Sequence, residues 1–254
     1  MIINAPNILN SLADFSPIYL EDLSSARLMN RVDTKFIFHI SRLEEILSAL
    51  VDDYAVLEVD GNRISKYESR YLDGVKFPFY RAHHNGKDHR FKVRYRKYVD
   101  TDTVFLEVKE KRKGRTVKKR MSVDEINKNF TGEEQSFLAS FLDHVDLHAT
   151  MNNSYDRIAL VNEKGSERVT LDLNLNYHWN GENKKFANLV IAELKQDRIN
   201  RHTAFYQLMR AKHIRPLRIS KYCTGLAVLR KQDVGKVNRF KSKIRTLKKM
   251  DDVT

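Results

Sequence analysis

The sequence predicts an α+β domain: many antiparallel strands forming a sheet, with a few helices to cover it. Three observations carry that expectation. Short segments mixing aromatic, β-branched and charged residues recur between residues 54 and 123 and again between 154 and 195. Stretches of helical period interrupt them at 41–52, 123–148 and 203–213. Charged residues also return to one face of strand after strand while the other face is apolar.

Taken in order, residues 1–30 are mixed: Ser11 and Asp14 are placed to cap a short helix, and SARLMNR reads as a helical turn. KFIFH (35–39) is a short strand. In SRLEEILSALVDDY, Leu43, Ile46, Leu47 and Leu50 have helical spacing, and Ser41 with Glu44 predicts a capping box. The segments SKYESRYLD, HRFKVRYRKY, TVFLEVKEKR and RTVKKRMSV are strands, punctuated by Gly74, Gly86 and Gly114. Helix returns over 123–148, where Phe137, Leu138, Phe141, Leu142 and Val145 form an apolar face. Strands resume at 154–161, 167–177 and 187–195, and helices are expected at 203–213 and 222–229. The tail, 230–254, sets nine Lys/Arg against Asp233, Asp251 and Asp252 and reads as a solvated helix or frayed end. With no internal repeat and no linker, residues 1–229 form one domain followed by that basic tail.

The 254 residues carry 46 Lys/Arg and 33 Asp/Glu, a net charge of +13. Such a chain is suited to polyanions. One cysteine excludes an intramolecular disulfide framework. No apolar run reaches the roughly 20 residues of a spanning helix, and the N-terminus lacks the pattern of a signal peptide. A soluble, cytoplasmic protein is expected. No Walker loop and no GxGxxG is present, which argues against an ordinary P-loop kinase.

The informative feature is the composition of the strand faces. Arg90, Lys92, Arg94 and Arg96 share one face of their strand, opposite Phe91, Val93 and Tyr95. Glu107, Lys109 and Lys111 align on the next strand, and Thr116, Lys118 and Arg120 on the one after. Glu68 aligns with Arg70, Tyr155 with Arg157, Arg168 with Asp172, and Glu193 with Lys195. A row of like charges repels itself, so stability alone does not account for it. Either the charged face is simply wet, or the sheet closes into a barrel with a charged lumen and a helix-covered exterior. A lumen of that kind would suit a polyanion together with a divalent metal.

The ordered segments RVDTKF (31–36), ESRYLD (68–73), FKVRYR (91–96), FLEVKEK (105–111), GRTVKKR (114–120), Tyr155 with Arg157, AELK (192–195) and SKYCTG (220–225) resemble the VTC domain. This is the polyphosphate polymerase domain of the vacuolar transporter chaperone family, among the CYTH-like triphosphate tunnel metalloenzymes, here in its stand-alone bacterial form. The resemblance implies an antiparallel β-barrel tunnel that transfers the γ-phosphoryl group of ATP to a growing polyphosphate chain, assisted by Mn2+ or Mg2+. It assigns Arg94, Arg96, Lys109 and Lys221 to the reaction. Lys35, Arg70, Lys92, Lys111, Lys118, Arg120, Tyr155, Arg157, Lys195 and Ser220 would bind substrate. Glu193 would bind metal, with Glu107 either a second ligand or an ion-pair partner for an interior arginine. RVDTKF departs from the ExExK motif of the triphosphatase branch, which favours polymerase over hydrolase and leaves few carboxylates for metal. The membrane segments of the eukaryotic complex have no counterpart here, so coupling to transport would need a separate membrane partner.

Two alternatives remain at this stage: a triphosphatase on the same fold, and a non-catalytic polyphosphate-binding module. Nucleic acid is not an expected partner, because Phe91 and Tyr95 lie opposite the arginine row and offer it no stacking platform. His83, His84 and His89 read as part of a hairpin loop around Gly86 and not as a zinc site. Cys223 reads as a small apolar packing residue.

Overall fold

The computed structural model describes residues 5–22, 32–112, 115–144, 146–162 and 167–252. Among the described residues eleven strands form one sheet. They are β1 (Pro17–Ile18), β2 (Val32–His39), β3 (Tyr54–Leu57), β4 (Ser65–Asp73), β5 (Arg90–Tyr98), β6 (Thr103–Arg112), β7 (Arg115–Val123), β8 (His148–Asn162), β9 (Glu167–Trp179), β10 (Glu182–Phe186) and β11 (Leu189–Gln196). The main path runs β2-β11-β9-β8-β4-β5-β6-β7, with β10 beside β9 and β3 beside β8. The described pairings are antiparallel except for the short β1–β3 contact.

The sheet curls into a half-barrel. Five strand steps separate β6 from β11 along the path, about 24 Å if the sheet were flat. Yet Lys109 of β6 lies within electrostatic reach of Glu193 on β11, and Lys92 of β5 within reach of Lys35 on β2. The expected antiparallel tunnel is therefore present. Its wall is curved and open, with β2 and β7 as the two ends of the hydrogen-bonded path. β7 bears Lys118, Lys119 and Arg120, charges that discourage pairing with another chain.

Helices cover the convex face, as the apolar halves of the strands require. Leu12 of α1 (Ala5–Ala13), Leu43, Ile46 and Leu47 of α2 (Leu43–Ser48), and Phe205 and Met209 of α5 (Ala204–Ala211) pack on Phe36, Phe38, Leu160, Leu171, Val190 and Leu194. Leu138 of α4 (Gly132–Ala139) packs on Val93, Tyr95, Leu106 and Val108. The remaining helices are α3 (Pro78–His84), α6 (Lys221–Leu229), α7 (Lys231–Val234) and α8 (Asn238–Asp251). Tyr80, Tyr222, Leu226, Phe240 and Leu247 from α3, α6 and α8 join Tyr71, Met151, Tyr177 and Ile191 in a second apolar cluster.

Several local expectations are corrected. The capping box expected at Ser41 and Glu44 does not form. β2 runs on to His39, whose ring accepts the Ser41 N–H at 3.2 Å, and a 3-10 turn (Ile40–Arg42) leads into a helix ending at Ser48. A capping box forms instead at α4: Thr131 Oγ1 accepts the Glu134 N–H, and Glu134 Oε2 accepts the Thr131 N–H at 2.7 Å. That helix occupies only 132–139 of the expected 123–148, although Leu138 and Leu142 are buried as expected. Val145 and the SARLMNR turn lie outside the described residues. His83 and His84 lie on α3, not in a hairpin loop. Buried Asp73 stabilises the start of α3 by accepting the N–H groups of Gly74, Phe79 and Tyr80 at 2.8–2.9 Å. The tail is a helix with a solvated charged face, as one of the two expectations had it, but it is docked and not frayed: Val234, Val237, Phe240 and Leu247 are buried, and Asp251 accepts the Asn188 N–H at 2.8 Å.

Candidate active site

Alternation decides which side chains reach the concave face, and register decides which of them meet. Arg94 lies opposite Tyr71 on one side and Glu107 on the other. Glu107 in turn lies opposite Arg120, and Lys109 opposite Lys92 and Lys118. On the far wall Glu193 is opposite Lys35 and Thr170, and Asp172 is opposite Arg157 and Ile191.

Three carboxylates organise this lumen. Glu107 is 0 % exposed; it accepts from Arg94 Nε at 2.8 Å and Nη2 at 2.6 Å, and Lys118 contacts its other oxygen. Asp172 is also 0 % exposed; it accepts from Arg157 Nε at 2.6 Å and Nη2 at 2.9 Å, and Lys221 of α6 closes on it. Glu193 pairs with Lys35 across β11 and β2. Burial alone would raise all three acids. Arg94, Arg96, Lys118 and Lys109 instead hold Glu107 well below the usual carboxylate range, Arg157 and Lys221 do so for Asp172, and Lys35, Lys195 and Lys109 for Glu193.

Aromatic faces back the cations. Arg96 donates to Tyr155 Oη at 2.8 Å and lies 5.5 Å from the Tyr67 ring centre. Arg157 lies 5.0 Å from the Tyr67 ring and 5.1 Å from the Tyr155 ring, with Lys221 4.6 Å from the latter. Burial would raise the Tyr155 hydroxyl, but Arg157, Arg96 and Lys221 bring it below its ordinary value.

Cations remain in excess. No carboxylate forms an ion pair with Lys92 or Lys109 among the described residues. Burial and neighbouring cations push Lys92 down to about 8 and Lys109 well below the ordinary lysine value. Lys118 is also pushed down to about 8, mainly by burial and despite Glu107.

Arg94, Arg96, Lys35, Lys92, Lys109, Lys118, Tyr155, Arg157, Glu107, Glu193 and Lys221 thus lie around one lumen. Ser220 caps α6, accepting the Cys223 N–H at 3.3 Å, and Lys195 donates to Thr170 at 3.3 Å. Lys111 lies toward the sheet end, opposite Arg90 and Thr116. Arg120 is exposed and lies over Phe105 at 4.4 Å. Arg70 is placed elsewhere. It shares the outer face with Tyr95 and donates to Asn152 at 3.2 Å, because β4 turns Tyr67, Ser69 and Tyr71 inward. Two features of the lumen are additional to the expected set. Asp172, noted in sequence only as aligned with Arg168, anchors both Arg157 and Lys221; its signal was a lone acid alternating with Leu171 and Leu173. Tyr67 and Tyr71 are the others, masked by the charges of Glu68 and Arg70 between them.

A family model described as the VTC domain matches residues 30–230. The chain belongs to the VTC-domain family. No curated protein matches the sequence. Among solved structures, a candidate adenylate cyclase from Bacillus halodurans is similar at 12% identity and TM-score 0.52, covering 76% of this chain and 96% of that one. HpAC1 from Hippeastrum, a candidate adenylyl cyclase described as having a dominant triphosphatase activity, is similar at 11% identity and TM-score 0.52, covering 78% and 96%. Both likenesses are to the fold.

Proposed function

We propose that this VTC domain is an ATP-dependent polyphosphate polymerase. The observation that carries the reading is the charge balance of the lumen: half-buried Lys92 and Lys109 lack an ion-pairing carboxylate among the described residues, while Arg94, Lys118, Arg157, Lys35 and Lys221 engage the acids present. Burying uncompensated cations is costly. A chain of phosphoryl groups supplies the missing negative charge at regular intervals, and guanidinium groups suit its oxygens.

Phosphoryl transfer needs positioning and charge stabilisation more than covalent help. The acceptor would be the terminal phosphate of the chain, already an oxyanion, so no Ser, Cys or His nucleophile is required. Arg94, Arg96 and Lys109 would neutralise the two anionic reactants. Lys221 and Ser220 at the start of α6 would hold the chain. Lys35, Lys92, Lys118, Arg157 and Tyr155 complete the cradle.

A divalent ion fits this donor set in one way. Among the described residues no cluster of three or more ligand side chains exists. A hard cation held by one carboxylate and otherwise by substrate phosphates is the arrangement Mg2+ commonly adopts. Glu193, partly exposed to the lumen, would supply that carboxylate, whereas Glu107 is enclosed by Arg94 and Lys118. Such an ion, Mn2+ or Mg2+, would add Lewis-acid charge stabilisation at the phosphates.

The test is to incubate the purified chain with ATP and Mn2+, with and without a short polyphosphate primer. A polyphosphate ladder with matching ADP supports the polymerase. Orthophosphate alone refutes it and indicates triphosphate hydrolysis. Tight polyphosphate binding without ATP turnover refutes it in favour of a binding module. No described helix is long and apolar enough to cross a membrane, and we propose that any coupling to transport uses a separate membrane protein.

A further inference from the structure

Beneath the first turn of α6, a row of polar groups crosses the concave face. Arg96 is in register with Ser69, Ser69 with Asn153, and Asn153 with Tyr177. These four residues and Thr224 of α6 are all more than nine-tenths buried. The Ser69 hydroxyl, Arg96 Nε, both amide atoms of Asn153, the Tyr177 hydroxyl and the Thr224 hydroxyl have no hydrogen-bond partner among the described residues. Buried polar atoms are rarely left so, and a run of them in one row marks a place where something else binds.

α6 places Thr224 over this row. Lys221 reaches Asp172 and the Tyr155 ring. A Cβ at Gly225 would overlap Met151 and come within 2.7 Å of Tyr177, so the helix is seated directly on β8 and β9 there. Thr224 shares a helix face with Lys221. On β8 the inward sequence is Met151, Asn153, Tyr155, and Gly225, next to Thr224, meets Met151 and also Tyr177, the β9 residue opposite Asn153, so Thr224 sits on the turn of α6 that covers the row.

The chemistry of the row is lopsided. Five of its six unpartnered atoms can donate: three hydroxyls, the Asn153 amide nitrogen and Arg96 Nε. Only Asn153 Oδ1 must accept, and a Ser69 or Thr224 hydroxyl can serve it. A donor-rich row of buried groups with a guanidinium at one end suits a tetrahedral oxyanion. The geometry points to a subsite for a phosphoryl group, formed by Ser69, Asn153, Tyr177 and Thr224 with Arg96 at one end of the row. It deepens the tunnel reading above and rests on it for the ligand's identity. The phosphoryl group is either free orthophosphate or the terminal unit of a chain.

The test measures orthophosphate and tripolyphosphate affinity by calorimetry on the full chain. The variants are Thr224→Val with Tyr177→Phe, which delete two hydroxyls and keep the packing, and Arg94→Ala. The double variant is expected to lose roughly tenfold or more in affinity, since each lost bond is to a charged group. Loss for both ligands assigns the subsite to the free ion as well; loss for tripolyphosphate alone assigns it to the chain end. Affinities for both ligands within about twofold of the parent overturn the subsite and leave only bound water there. Should the double variant not fold, Ser69→Ala carries the same expectation. Failure of the tunnel reading looks different: Arg94→Ala would then leave tripolyphosphate affinity unchanged.

Discussion

The depressed lysines make ligand affinity depend on pH with a calculable sign. In the free protein Lys92 and Lys118 titrate at about 8. A bound polyphosphate supplies the negative charge they lack and returns them toward the ordinary lysine value near 10.4. Below pH 8 both are already protonated and binding costs no proton. Above it each must take up a proton to bind, so affinity falls as pH rises. Between pH 7 and 9 the protonated fraction of a group titrating at about 8 drops from roughly 0.9 to 0.1, which weakens binding by about tenfold per lysine and up to about 100-fold for the pair. Tripolyphosphate itself becomes more anionic over this range, which acts in the opposite direction. The assay is calorimetric titration with tripolyphosphate at constant ionic strength, since exposed charge is screened by salt. Lys109 also lies well below the ordinary lysine value, so its proton uptake acts in the same direction, read from the dependence of the heat on buffer. Lys92→Met should weaken binding at pH 7 but remove about tenfold of the loss between pH 7 and 9. An affinity that is flat or tightens from pH 7 to 9 refutes the reasoning.

Other expectations follow from the same lumen and its support. Arg94→Ala and Lys221→Ala should each cut polyphosphate synthesis by roughly 100-fold or more while circular dichroism stays native; near-normal synthesis in both would sink the tunnel assignment. Glu193→Gln should shift the Mn2+ titration of activity by at least the roughly tenfold that even an outer-sphere partner costs, and an unchanged titration removes Glu193 from the metal site. The ligand-free chain should become more stable between about pH 8 and 9.5. Over that window unfolded lysines hold protons that Lys92 and Lys118 have lost in the folded state, and a falling urea midpoint there would contradict their burial. Leu247→Ala should cost about 2–5 kcal/mol by denaturant unfolding; an effect near zero would mean α8 does not belong to the core.

Period-two alternation made most of the lumen legible, because charge on a strand has few reasons to repeat. Arg94, Arg96, Lys109 and Lys118 could be placed on one surface before any register was known. Their pairing could not, since Arg94 meets Glu107 and Tyr71 only through the β4–β5–β6 register. Arg70 shows where alternation misleads. In ESRYLD the two charges share a face, and charge had marked the lumen on every neighbouring strand, yet here the inward face belongs to the tyrosines. Tyr67 faces Arg96 and Arg157, and Tyr71 accepts from Arg94, so β4 contributes the π faces and hydroxyls that hold cations donated by its neighbours. A strand that supports charge and a strand that carries it read as opposites in sequence. Asp172 was hard to see for a related reason: a single acid among leucines resembles an ordinary exposed position, whereas its role comes from Arg157 beside it and from Lys221 of α6, 49 residues away. Long-range contacts of that kind decide which charges are compensated. The buried stripe of the tail is hidden because its charge density outweighs its few apolar residues in any compositional reading, although Phe240 and Leu247, seven residues apart, lie on one helix face. That stripe carries α8 into the cluster containing Tyr222 and Leu226 of α6. Through α6 it bears on the position of Lys221, so the basic segment at the end of the chain belongs to the architecture of the lumen.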